Sequence, residues 1–257
     1  MGALVSLLLL LPSSMAVSQE PVRFGEPDAT AAEPRGSIDG IRVLRGGALL
    51  VADGAESRLI RYSNDLATAA VLGREGQGPD EYRQPDGLFA LPGDSTLMTD
   101  LGNGRIAVLG PDGAIVRTEP IAREGADGSF MLVLPQGTDA EGGIWFTTRT
   151  GPGMRLEDSA QVRRLDPGTG EIESIARLAP PPMSRSTSGG GDRQEERVMP
   201  IPFGPEDDWA VGPGGLAVVR AEPYRVDRVR PDGEVVLGPE IDWDPVSVKR
   251  ADQEEWL

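Results

Sequence analysis

The side chains that most often carry enzyme chemistry are missing from this sequence. It has no His and no Cys. That removes thiol nucleophiles, disulfides, imidazole bases, Ser-His-Asp triads and every zinc site ligated by His or Cys. Any chemistry must run on carboxylates, arginines, tyrosines, Lys249 or a metal held by oxygen. Two carboxylates recur at a fixed spacing. Asp53 precedes Arg58 by five residues, Asp100 precedes Arg105 by five, and the two Asp residues are 47 apart. The plain reading is a brace, each pair holding a strand-connecting turn within its own unit. Glu206-Asp207-Asp208 is acidic but lacks the Asp-x-Asp-x-Asp-Gly spacing of a calcium loop, and it reads as a solvated turn. The glycines Gly73, Gly76 and Gly78 suggest a phosphate cradle. They are followed by Pro79-Asp80-Glu81, not by the Gly-Lys-Ser/Thr that opens a helix, and these carboxylates would repel phosphate. The loop reads instead as a turn between sheets, with Tyr82 packed in the seam.

The elements around these residues repeat. Gly47 to Asp53, Arg58 to Tyr62, a turn at 63–65 and Ala69 to Leu72 make one unit. Asp94 to Asp100, Arg105 to Leu109, Pro111-Asp112-Gly113 and Ala114 to Val116 make the next. A third unit has Gly142 to Thr147, Val162 to Leu165, Pro167 to Gly170 and Ile172 to Ile175. A fourth has Gly214 to Val219, Tyr224 to Val229, Pro231-Asp232-Gly233 and Val235 to Leu237. Each is a set of short β-rich runs joined by turn chemistry, in a chain with 34 Gly and 23 Pro. A single unit cannot bury both faces of its small sheet, and radial stacking can. Sets recurring at about 45 residues favour a propeller over a β-sandwich. No run holds a 3.6-residue period long enough for a parallel α/β sheet. The expected fold class is an all-β propeller with blades at 41–72, 87–120, 131–178 and 208–238. The low-complexity run from Ala179 to Pro202 reads as a flexible insertion between blades.

Charge and the N-terminus bound the setting. The chain has 257 residues, 25 basic and 41 acidic, a net charge of −16. Such a field repels nucleic acid and anionic membrane surfaces, so neither is an expected partner. Ala3 to Leu11 is apolar but too short to span a bilayer, and Ser14, Ala16 and Ser18 offer small residues for cleavage near Ala16 or Ser18. Residues 1–18 therefore read as a signal peptide and 19–257 as an exported domain, periplasmic or extracellular. No other segment reaches membrane-spanning length.

Residues Gly73 to Gly87 resemble the start of an NHL repeat: a Gly-rich loop, the aromatic Tyr82, then Pro85-Asp86-Gly87 leading into a strand. Asp100, Asn103-Gly104, Arg105-Ile106 and Pro111-Asp112-Gly113 continue that pattern. The match is close over 73–116 and partial across most of 40–240. It implies a six-bladed NHL-like propeller and resembles exported bacterial proteins of that kind. The same resemblance implies an enzymatic alternative. Six-bladed lactonases of the gluconolactonase type hold calcium through Glu, Asn and Asp at the central opening, and the candidate oxygen donors here are Asp53, Asp100 and Asn103. Zinc-dependent NHL-like lyases share the fold, but their His and Cys requirements are unmet. The leading expectation is an exported binding module without a cofactor, presenting loops to a protein, peptide or glycan. Calcium enters only in the lactonase alternative. Six blades at about 45 residues need about 270, more than remain after signal removal. The chain is thus expected to be incomplete at its C-terminus, where Lys249 to Leu257 reads as a helix beginning.

Overall fold

The computed structural model describes residue 23 and residues 25–124, 130–149, 159–188, 195–212, 214–230, 232–244 and 249–250. The signal peptide expected at 1–18 lies outside the described residues, as does all but the first two positions of the expected C-terminal helix.

Four four-stranded antiparallel sheets follow one another along the chain, each a meander in which sequence neighbours pair. The first holds β1 (Gly40–Val43), β2 (Leu49–Asp53), β3 (Arg58–Tyr62) and β4 (Ala69–Leu72). A link follows with the short parallel pair β5 (Arg74–Glu75) and β6 (Glu81–Tyr82). The second sheet holds β7 (Pro85–Ala90), β8 (Thr96–Asp100), β9 (Arg105–Leu109) and β10 (Ile115–Pro120). The next link carries the hairpin β11 (Ala122–Glu124) and β12 (Phe130–Leu132). The third sheet holds β13 (Gly137–Thr138), β14 (Ile144–Arg149), β15 (Ala160–Leu165) and β16 (Ile172–Leu178). Its outgoing link carries the hairpin β17 (Met183–Ser188) and β18 (Glu195–Pro200). The last sheet holds β19 (Asp208–Gly212), β20 (Gly215–Arg220), β21 (Arg225–Val229) and β22 (Val235–Val236). Successive first strands lie side by side: β1 by β7, β7 by β13, β13 by β19. The fold is an all-β propeller.

The described residues build four blades, not six. The first strands begin at 40, 85, 137 and 208, so the interval grows from 45 to 52 to 71 residues, and the growth lies in links that carry the β11–β12 and β17–β18 hairpins. The segment at 179–202, expected as a flexible insertion, contains the β17–β18 hairpin. The third blade starts later than expected, because 130–132 belongs to a link.

Period-two alternation explains why the blades stack. Neighbouring residues of β8 enter different seams. Met98 packs with Leu50, Leu59 and Tyr82 between the first two blades. Leu97 packs with Phe146 and Leu165 between the second and third. Leu178, Leu216, Val218 and Val229 seal the third seam. With both sides covered, all of β8 is buried, whereas β4 on the rim is mostly exposed. Truncating one such side chain, Leu97→Ala for example, removes roughly 2–5 kcal/mol.

In a meander the first and third turns lie at one end, the second turn and the outgoing link at the other. The first end, here the turn face, is closed by short connections such as 44–48, 63–68, 91–95, 110–114 and 139–143. In the Pro-Asp-Gly turn, Gly113 has φ 88° and donates to the Gly110 carbonyl at 2.9 Å, and Asp112 accepts the Ala114 N–H at 3.1 Å. Gly233, at φ 84°, and Asp232 repeat those contacts in the fourth blade. The opposite end is the link face, where the candidate site residues lie.

Candidate functional site

Asp100 ends β8 at the link face and is wholly buried. One carboxylate oxygen accepts the Arg83 N–H at 2.8 Å. The other accepts Asn103 Nδ2 at 2.9 Å and Arg105 Nε at 2.8 Å. These partners reach onward into the glycine-rich link. Asn103 Nδ2 also donates to the Gly76 carbonyl at 2.9 Å, and Arg105 donates to the carbonyls of Gly78, at 3.3 Å, and Glu81. The Asp100–Arg105 pair is therefore a brace, and it holds the incoming link as well as its own turn.

The link folds around an anion of its own. Glu81 accepts the Gly78 N–H at 2.9 Å and Arg74 Nε at 2.7 Å, and both hold its carboxyl below the ordinary range. A Cβ on Gly76 would lie 2.0 Å from the Glu81 carboxylate, so a side chain there would push that carboxylate off its donors. Where a phosphate loop would cradle its ligand, this loop turns onto its own side chain. Tyr82 sits in the seam as expected. Its hydroxyl donates to the Leu72 carbonyl at 2.6 Å and accepts the Leu59 N–H at 2.9 Å. Burial pushes the phenol pKa up, against the opposing pull of the Leu59 N–H.

Asp53 occupies the matching position in the first blade, with different partners. It accepts the N–H groups of Gly36, Ser37 and Glu56 at 3.1, 3.1 and 3.0 Å. Burial raises its pKa, but these donors outweigh burial and the net shift is downward. The ion pair expected with Arg58 is not formed: Arg58 pairs with Glu56 at 2.9 Å. Of the three candidate calcium ligands, Asp100 and Asn103 bond each other, whereas the hydrogen bonds of Asp53 go to Gly36, Ser37 and Glu56 within its own blade. The carboxylates of Asp53 and Asp100 already accept N–H donors on both oxygens. Among the described residues no group of three or more acidic side chains is placed to hold a metal ion.

Sequence reasoning missed two further braces. Asp207, read as part of a solvated acidic turn, is buried. It accepts the N–H groups of Ala179 and Ala221, both at 3.0 Å, and Arg220 at 2.8 Å. Burial pushes its pKa up, and these partners bring it below the ordinary value. Arg220 also meets Asp227 at 3.1 Å and the Arg177 carbonyl at 2.6 Å, tying the fourth blade to the end of the third. Glu206 and Asp208 do stay exposed. At the turn face Asp139 accepts Trp145 Nε1 at 2.8 Å and Arg164 Nε at 2.7 Å. The Asp139-x-x-x-Gly143 turn was the available signal: the Gly143 N–H reaches the same carboxylate at 2.7 Å.

The two faces differ in what they show to solvent. Phe130, Leu132, Leu134, Met199, Ile201 and Phe203 are exposed, and all lie in links. Among the described residues of the short connections on the turn face, no large hydrophobic side chain is exposed.

No family model matches the chain, and no curated protein sequence matches it. Solved structures do. Virginiamycin B lyase from Staphylococcus aureus aligns at 14% identity over 80% of this chain and 56% of that one, with a TM-score of 0.43. A gluconolactonase from Xanthomonas campestris aligns at 16% identity over 79% and 76%, with a TM-score of 0.41. A chain of the nidogen–laminin complex aligns at 14% identity over 75% of each, with a TM-score of 0.39. The chain spans little more than half the length of the lyase. None of its residues takes a role from these proteins.

Proposed function

We propose that this chain is an exported binding module of the NHL-like propeller type, and that its link face is the recognition surface. The observation that carries the reading is the set of exposed apolar side chains that two links carry, Phe130, Leu132 and Leu134 in one and Met199, Ile201 and Phe203 in the other, where the described residues of the short turn-face connections expose none. Exposed apolar side chains clustered along one segment are the kind of surface that marks an interaction site. The rigid blades below hold the links in place, through Asp100 for the first link and Asp207 for the third. Export rests on the N-terminal signal pattern. The calcium-dependent lactonase reading is weaker, because a metal at Asp53 or Asp100 would have to displace N–H donors that hold the fold.

The test is a comparison of faces. A displayed peptide library and a glycan array would be probed with the wild-type chain, a link-face variant (Phe130→Ser, Leu132→Ser, Leu134→Ser) and a turn-face variant (Asp112→Lys). Ligands are expected to be lost on the first variant and kept on the second. Ligands that ignore both changes would sink the reading. So would a calcium-dependent rise in thermal midpoint accompanied by lactone hydrolysis.

A further inference from the structure

The link between the third and fourth blades contains a residue that its own fold does not favour. The Ile201 N–H donates to the Pro182 carbonyl at 2.9 Å, and the Gly204 N–H donates to the Ile201 carbonyl at 3.0 Å. This closes a four-residue turn with Pro202 second and Phe203 third. Phe203 has φ 59°. A turn with proline second and a positive φ third has the type II pattern, in which the third position suits glycine and a bulky side chain is strained. The glycine of this turn sits one residue later, where packing requires it: a Cβ on Gly204 would lie 2.5 Å from Pro182. Burial offers Phe203 no compensation, because the residue is 83% exposed. An aromatic ring held in a strained conformation and packed on almost nothing points to a task outside the monomer.

The neighbouring residues narrow the mode of contact. Met199 and Ile201 precede Phe203 at alternate positions and are both exposed. Pro200 and Pro202 have no N–H, and the Ile201 N–H is already used. An added β-strand would find no donor from 200 to 202, which favours side chains entering a pocket. Glu206 and Asp208 are exposed close by in sequence, in a chain of net charge −16. A second copy would bring the same acidic rim, and an anionic bilayer the same sign of charge.

We propose that Phe203, backed by Ile201 and Met199, is an anchor that inserts into an apolar pocket rimmed by Lys and Arg on a partner protein. This rests on the binding-module reading and names the hot spot within it. Two measurements test it. In the purified full chain, Phe203→Gly is expected to keep or raise the thermal midpoint, since the strain goes and little packing is lost. A drop of several degrees would mean that the ring packs within the monomer, and the proposal fails. Separately, benzoylphenylalanine would replace Phe203, Leu132 or Asp112 in the full chain, in the cells that make it. Photo-adducts would be identified by mass spectrometry. The expected result is one protein adduct at position 203 and none at 112. That protein, once purified, should bind Phe203→Gly at least tenfold more weakly than wild type, with affinity falling as salt rises. Adducts at 132 alone would overturn the anchor and leave the link-face reading standing. Adducts to the chain itself or to phospholipid would replace the partner with a second copy or a membrane. No adduct at 203 or 132 would remove both readings.

Discussion

The turns that close β2 on β3 and β8 on β9 begin with the same residue type at the same place, yet their carboxylates are satisfied differently. Each Asp captures the backbone N–H of a residue 17 positions earlier, Gly36 for Asp53 and Arg83 for Asp100. That shared offset pins the lead-in of a blade to the end of its second strand. The divergence comes three residues after the Asp. Asn103 donates its amide to Asp100, and Arg105 completes the set. Glu56 has no side-chain donor to offer. It gives Asp53 its backbone N–H and takes Arg58 for its own carboxylate. The ionic brace of the second blade thus corresponds to one built from neutral donors in the first, with Glu56 standing where the second blade has Asn103. The fourth blade reverses the arrangement: Asp207 stands in the lead-in and Ala221 in the turn supplies the N–H.

Acid should have the largest effect, through four of the carboxylates. Asp53, Asp139, Asp207 and Asp227 each have a pKa held below the ordinary value, because hydrogen-bond donors outweigh the burial that would raise it. The unfolded chain therefore takes up protons first. Their stabilisation is complete above the unfolded carboxylate pKa, about 4, and is lost as pH falls through the folded values. Thermal midpoints are expected to hold from pH 7 to 5 and to fall steeply below about 4. A flat profile down to pH 3 would contradict the braces. Asp53→Asn should lessen the acid sensitivity while lowering stability at neutral pH.

Single truncations sharpen the contrast. Asp100→Ala leaves Arg105, only 15% exposed, without its carboxylate. Breaking such a pair costs about 3–5 kcal/mol. Asp53→Ala leaves neutral N–H groups unpaired and should cost about 1–3 kcal/mol. Urea denaturation at pH 7 reads both, and equal losses would erase the distinction between ionic and neutral braces. Tyr82→Phe, which removes the hydroxyl bridging Leu72 and Leu59, should cost about 1–3 kcal/mol as well. A neutral result would mean that the ring, and not its hydroxyl, fixes the first link.

How much of this was legible before folding follows from the kind of interaction. Strands and turns were readable because alternation and Pro-Asp-Gly are local, and Met98 and Leu97 enter opposite seams as period two requires. The Asp100–Arg105 pair was readable for the same reason. The partner of Asp53 was not, since an identical Asp-to-Arg spacing is overruled by Glu56 beside it. Asp207 was hidden because its donors Ala179 and Ala221 come from distant segments, and backbone N–H groups leave no mark in sequence. The count of six misled because it came from the resemblance over 73–116 and not from the residues themselves, whose four strand sets are the four sheets that form.

The smallest expected effect is the most specific test of the comparison. Glu56→Asn gives the first blade the residue type that the second has at Asn103. Arg58 then loses its carboxylate partner and can turn to Asp53, the residue opposite it in the strand register. The new amide can donate to Asp53 as Asn103 does to Asp100. The lost Arg58–Glu56 pair is half exposed on both sides and contributes little, so the net change in stability should lie within about 0.5 kcal/mol. The informative readout is coupling. In a double-mutant cycle, Arg58→Ala and Asp53→Ala should be nearly additive in the wild type, where the two side chains do not pair. In the Glu56→Asn background they should couple by about 0.5–3 kcal/mol. Coupling already present in the wild type would show that Arg58 and Asp53 interact in solution, and residue 56 would not be what separates the two blades.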